Sequence, residues 1–178
     1  MSLIRAFTIG LGLLTFSVAD AAARSDPKKP APASSRATAT SIQFAPELRR
    51  EVEELLQYSP TFRAQYQRIA ETPRIVVGVR VDVRLTQTNY RARTTFRHYS
   101  SGLIVADVLI GPGSQRGESI AHEFEHILEQ LDGQDLKQMA KSNAKDVWYS
   151  GSDVIETERA IKAGRTVRDE LRQAQITR

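Results

Sequence analysis

The sequence predicts an α+β domain in which a small antiparallel sheet packs against a central helix, with other helices before and after it. Three observations carry that expectation. Apolar residues recur at helical spacing from Pro46 to Ile69, alternate with polar residues from Val77 to His98, and return to helical spacing after Arg116.

The chain has 178 residues and opens with Arg5 ahead of an apolar stretch from Ala6 to Ala19, followed by the small residues Ala21 and Ala23. Residues 1–23 therefore read as a cleavable export signal. The apolar stretch, about 14 residues, is shorter than the roughly 20 needed to cross a bilayer as a helix, so no stable membrane span is expected. The expected location is the bacterial periplasm or the outside of the cell. Residues 24–43, RSDPKKPAPASSRATATSIQ, hold three of the seven prolines and almost no bulky apolar side chain, the composition of a disordered linker. Residues 44–178 remain for one domain, long enough to bury a core.

Composition removes several function classes. There is no cysteine, which excludes disulfides, thiolate-ligated metals, thiol catalysis and lipoprotein acylation. The net charge is +4, but the linker carries Arg24, Lys28, Lys29 and Arg36 against Asp26 alone. The domain is thus close to neutral, and no nucleic-acid partner is expected.

Pro46 begins a helical pattern with Leu48, Val52, Leu55 and Leu56 on one side and Glu47, Glu51, Glu53 and Glu54 elsewhere. Ser59 and Pro60 read as the cap and first position of a second helix presenting Phe62, Tyr66 and Ile69. Val77, Val79, Val81, Val83 and Leu85 then alternate with Arg80, Asp82 and Arg84 as a half-buried strand. The next strand sets Arg91, Arg93 and Arg97 against Ala92, Thr94, Phe96 and His98, with Gln87 to Asn89 as the turn of a hairpin. A third strand, Leu103 to Ile110, is apolar except for Asp107 and stops at Gly111, Pro112 and Gly113. The hairpin's five arginines have only Asp82 to offset them on their face. Such a face either meets an anionic envelope component or is a solvated sheet surface whose charge blocks edge-to-edge pairing; the second is the commoner outcome.

The chemistry begins in RGESIAHEFEHILEQLDG, where His122, Glu123 and His126 form HExxH and take up two of the three histidines in the chain. On a helix, positions four apart lie on one face, so both imidazoles can reach one zinc ion while Glu123 takes a proton from water beside it. Ile120, Phe124, Ile127, Leu128 and Leu131 cluster on the opposite face. Two histidines and a water leave such a site one protein ligand short. Ser150 to Asp153 reads as a helix start, with helical pattern continuing to about Gln175. On that helix Glu156 shares the core stripe with Ala160, Ala163, Val167, Leu171 and Ala174, where a carboxylate is costly unless paired or metal-bound. The competing explanation is a capping box, since Asp153 and Glu156 have D-x-x-E spacing. Ala160, Ala163 and Gly164 leave room for the histidine helix to approach.

These residues resemble the zincin metallopeptidases, in the gluzincin branch, where HExxH is followed on a later helix by a glutamate ligand. The resemblance implies a zincin-like fold, one zinc ion held by His122, His126 and Glu156, Glu123 as general base, and a peptide or protein substrate. It also implies that Leu103 to Ile110 rims the cleft and pairs with an extended substrate. Lower-ranked third ligands are Asp153, as in aspzincins, then Asp132, as in metzincins, although Glu129 stands where that pattern has its turn glycine, and then Glu158. Tyr149 and His98 are the candidate donors to a developing oxyanion, and Trp148 reads as a core or rim aromatic. The resulting expectation is an exported zinc peptidase. Its alternative is a catalytically silent envelope binding protein on the same fold, suggested by the long linker and the arginine face.

Overall fold

The computed structural model describes residues 41–88, 90–113, 115–151 and 154–176. The export signal and most of the linker lie outside these residues. Strand β1 (Ile42–Phe44) opens the described chain and buries Ile42, so the folded part begins inside the segment read as linker. A 3-10 turn, Pro46–Leu48, leads into α1 (Arg49–Tyr58). Ser59 caps α2 (Pro60–Glu71), its Oγ accepting from Phe62 N at 2.9 Å, while Pro60 occupies a first-turn position that needs no N–H donor. Leu48, Val52, Leu55, Phe62 and Ile69 are buried, as their helical period requires.

Strands β2 (Ile75–Val81), β3 (Ala92–His98) and β4 (Ile104–Ile110) join β1 in one sheet of order β1-β2-β4-β3. The sheet is mixed and not antiparallel as expected: β2 is parallel to β1 and to β4, and only β3 runs antiparallel to β4. The expected hairpin between the two alternating stretches does not form. The chain leaves β2 at Asp82, which caps a 3-10 turn over Val83–Gln87, crosses to the far side for β3, and returns through the middle as β4. Strand character explains the order. The nearly uniform apolar run of β4 suits a position flanked on both sides, whereas the Arg- and Thr-rich β3 tolerates an edge. With both sides of β4 paired, Leu103 to Ile110 cannot accept a substrate strand; the edge strands are β1 and β3. Three of the arginines expected on one face are partnered: Arg80 pairs with Asp107, Arg84 with Asp82, and Arg91 bonds Gln115.

Helix α3 (Arg116–Leu131) sets Ile120, Phe124, Ile127 and Leu128 into the core with Val77, Val79, Ala106, Val108 and Ile110 of the sheet. Phe124 also meets the rings of Phe44 and Phe62. After α4 (Leu136–Lys141), the antiparallel pair β5 (Val147–Tyr149) and β6 (Ile155–Thr157) leads into α5 (Glu158–Ile176), which packs along α3. Gly164 permits that approach: a Cβ there would lie 3.1 Å from Glu118 O and 3.3 Å from His122 Cβ. The last helix thus starts later than the sequence pattern suggests. Its cap is Thr157, whose Oγ1 accepts from Ala160 N at 3.0 Å, and Glu156 lies on β6 instead of in a capping box. Among the described residues no helix is long and apolar enough to cross a membrane.

Candidate metal centre

Helix α3 is the backbone of the site. Its core stripe fixes its rotation, and that rotation sets Glu123 and His126 in the wall of a cleft of about 640 Å³ between β3, the segment from Gly133 to Lys137, and β6, with His122 one turn back on the same helix. Strand β6 brings Glu156 to the same place. The ligand atoms of His122, His126 and Glu156 all lie within 4.8 Å of one another, and His122 Nε2 is 3.3 Å from Glu156 Oε2. Zinc bonds of about 2.0–2.1 Å in a tetrahedron separate neighbouring ligand atoms by about 3.3–3.4 Å, so the His122–Glu156 pair has the spacing of two ligands on one ion. The group can hold a metal ion. Two imidazoles and one carboxylate suit a borderline-soft divalent ion better than magnesium or calcium, which favour all-oxygen sites.

His126 is buried, and its Nδ1 is 2.8 Å from Glu129 Oε2, which leaves Nε2 to face the cleft. Glu129 is 1% exposed, and its other oxygen accepts from Thr157 Oγ1 at 2.7 Å. A ligating histidine held by a carboxylate through its second nitrogen is the usual arrangement around bound metals. Burial opposes the charged form of His126, but the Glu129 hydrogen bond and the charges of Glu123, Glu129 and Glu156 outweigh it and raise its pKa. Glu156 behaves in the mirror sense: burial pushes its carboxyl up, while the His122 hydrogen bond and the two imidazoles bring it below its ordinary value.

Glu123 is 5% exposed and accepts from Thr94 Oγ1, on the edge strand, at 2.6 Å. Burial pushes its carboxyl above the usual range, against the pull of His126, His122 and the Thr94 hydroxyl and with some help from Glu156. A buried glutamate that readily accepts a proton, beside a metal-ligand group and at the wall of a cleft, has the properties of a general base.

The other sequence candidates fall away from this group. Asp132 ends α3 and is held by Arg68 and by Arg159, the latter at 2.7 Å, so it serves an ion-pair network and not the ligand set. Arg159 also binds Glu125, which accepts from Gln65 as well. Glu158 is exposed at the start of α5, and Asp153 lies outside the described residues. His98, the last residue of β3, lines the cleft. Tyr149 is 40% exposed on β5 and is not among the residues lining it. Trp148, at 39% exposure, stands opposite Glu156 in the β5–β6 register, a rim position and not a core one.

Sequence reasoning missed Thr94, Glu129 and Thr157. Two of them carried a signal: Thr94 alternates onto the same strand face as His98, and Glu129 lies three residues beyond His126, on the same side of the helix. Thr157 could be recognised only once the start of α5 was known. Comparison of the chain with family models, curated proteins and solved structures gives no match.

Proposed function

We propose that the chain is a zinc-dependent peptidase of gluzincin type, with His122, His126 and Glu156 as ligands and Glu123 as general base and acid. The observation that carries this reading is the convergence of the three ligand groups beside a buried, proton-accepting Glu123 at the wall of the cleft that His126 and Glu156 also line. A zinc ion held there would supply Lewis acidity, lowering the pKa of water and polarising the scissile carbonyl. Glu123 takes one proton from the attacking water as its oxygen bonds to the carbonyl carbon, and gives that proton to the amine as the C–N bond breaks. Thr94 holds the Glu123 carboxylate in place between these transfers.

The substrate is a peptide or protein segment in extended form. The edge of β3 lies along the cleft, and Arg93, Thr94, Thr95, Phe96 and His98 contribute to its wall, so an added strand would run past Glu123 and the ligands. His98 lines that cleft and is the donor this reading assigns to a substrate carbonyl, whereas Tyr149 does not line it. The leader and linker patterns of the sequence support a place for this activity in the periplasm or at the cell exterior.

Glu123→Gln tests the reading. The variant should keep its zinc and lose peptide hydrolysis by several orders of magnitude. Hydrolysis equal to the parent's would remove Glu123 as the base, and retained zinc with no hydrolysis by the parent on any peptide library would favour the silent binding protein.

A further inference from the structure

Glu129 is a carboxylate sealed in the protein, and the two groups that satisfy it are both neutral-capable donors, His126 Nδ1 at 2.8 Å and Thr157 Oγ1 at 2.7 Å. Proton accounting fixes the direction of each bond. Ala160 N–H donates to Thr157 Oγ1 at 3.0 Å, so the single hydroxyl proton of Thr157 is free for Glu129. A carboxylate only accepts, so the proton between Glu129 and the imidazole belongs to His126 Nδ1. In the neutral ring Nε2 is then the nitrogen with a free lone pair, on the cleft side.

The same hydroxyl does a second task. Thr157 follows Glu156 directly and caps α5, so its bond to Glu129 ties the strand that carries one ligand to the helix that carries the other two. It is the bond closest to the ligands among those that join the two, the Arg159–Glu125 pair and the close packing at Gly164 lying further along α5.

We propose that Glu129 and Thr157 are positioning residues that set the His126 tautomer and lock β6 onto α3, so that the centre is shaped for a metal before one arrives. This rests on reading His122, His126 and Glu156 as a zinc site. Neither residue touches substrate. Their effect is on metal affinity, and a pair of this kind changes affinity by about 10–100-fold.

The test has two readouts on the full chain. Zinc affinity, measured by competition with a chromophoric chelator, should weaken about 10–100-fold in Glu129→Gln and about tenfold in Thr157→Val, while Thr157→Ser, which keeps the hydroxyl, stays near the parent. Nitrogen-15 NMR of the metal-free parent, at a pH where the ring is neutral, should place the His126 proton on Nδ1, and Glu129→Gln should give a mixture of tautomers. Thermal melts separate lost affinity from lost fold, and if Glu129→Gln does not fold, the Thr157 pair decides. Parent-like zinc affinity in both Glu129→Gln and Thr157→Val, or a proton on Nε2 in the parent, overturns the proposal. A parent that takes up no zinc instead contradicts the proposed function, and the NMR readout still judges the relay in the metal-free chain.

Discussion

Thr94 Oγ1 donates to Glu123 Oε2 at 2.6 Å, so an edge strand of the sheet directly holds the glutamate that would take the proton of the attacking water. The bond has a chemical sense as well as a geometric one. Burial raises the Glu123 pKa, and the hydroxyl partly opposes the shift by favouring the ionised carboxylate.

Thr94→Val keeps the shape of the side chain and removes the donor. Glu123 should then titrate at still higher pH, and the acid limb of kcat/KM against pH should move upward with it. An unmoved limb would mean that Glu123 is not the group governing it.

Gly164→Val tests the close packing of α5 on α3. A Cβ at this position would lie 3.1 Å from Glu118 O, and the backbone of α3 cannot yield as a flexible side chain would. The expected cost is about 2 kcal/mol of stability, a fall in Tm of roughly 5 °C, with weaker zinc binding because His122 Cβ is the second neighbour. A melt within a degree of the parent would show that the helices have slack.

Asp132→Asn separates the ion-pair network from the ligand set. Its partners are Arg68 and Arg159, so zinc content should be unchanged while stability falls by about 1 kcal/mol or less, as for exposed pairs. Loss of zinc in this variant would return Asp132 to the ligands and displace Glu156.

Much of this site is legible in the sequence because its parts are local. HExxH needs only the helical period, and Ile120, Phe124 and Ile127 give the rotation of that helix without outside information. The position of β4 between β2 and β3 is not local, since it depends on which strand gains most from burial on both sides. Glu156 illustrates a second limit. The apolar period beginning at Ala160 projects smoothly backward through Glu156, but a period does not mark its own start, and the cap that does so is Thr157. Ile42 shows a third: one buried residue at the end of a Ser/Thr/Ala-rich run is too little pattern to outweigh the composition around it.

Away from the cleft, Asp82 provides a pH-dependent contribution to stability. Its carboxylate caps the turn after β2 and binds Arg84, and the Arg84 hydrogen bonds hold its pKa down at about 2. Because the folded value lies below the ordinary one, this stabilisation is complete above about pH 4 and is lost as pH falls towards 2. The stability difference between parent and Asp82→Asn in urea should therefore shrink steadily across that window. A difference independent of pH would assign the effect to shape and not to charge.

The most direct test of the centre itself is zinc content per chain in protein purified without a metal-affinity tag, loaded with zinc and freed of excess, for the parent and for Glu156→Ala. The account predicts about one tightly held zinc in the parent and a much weaker site in the variant. No zinc in the parent, or undiminished affinity without Glu156, would contradict the assignment of His122, His126 and Glu156 as its ligands.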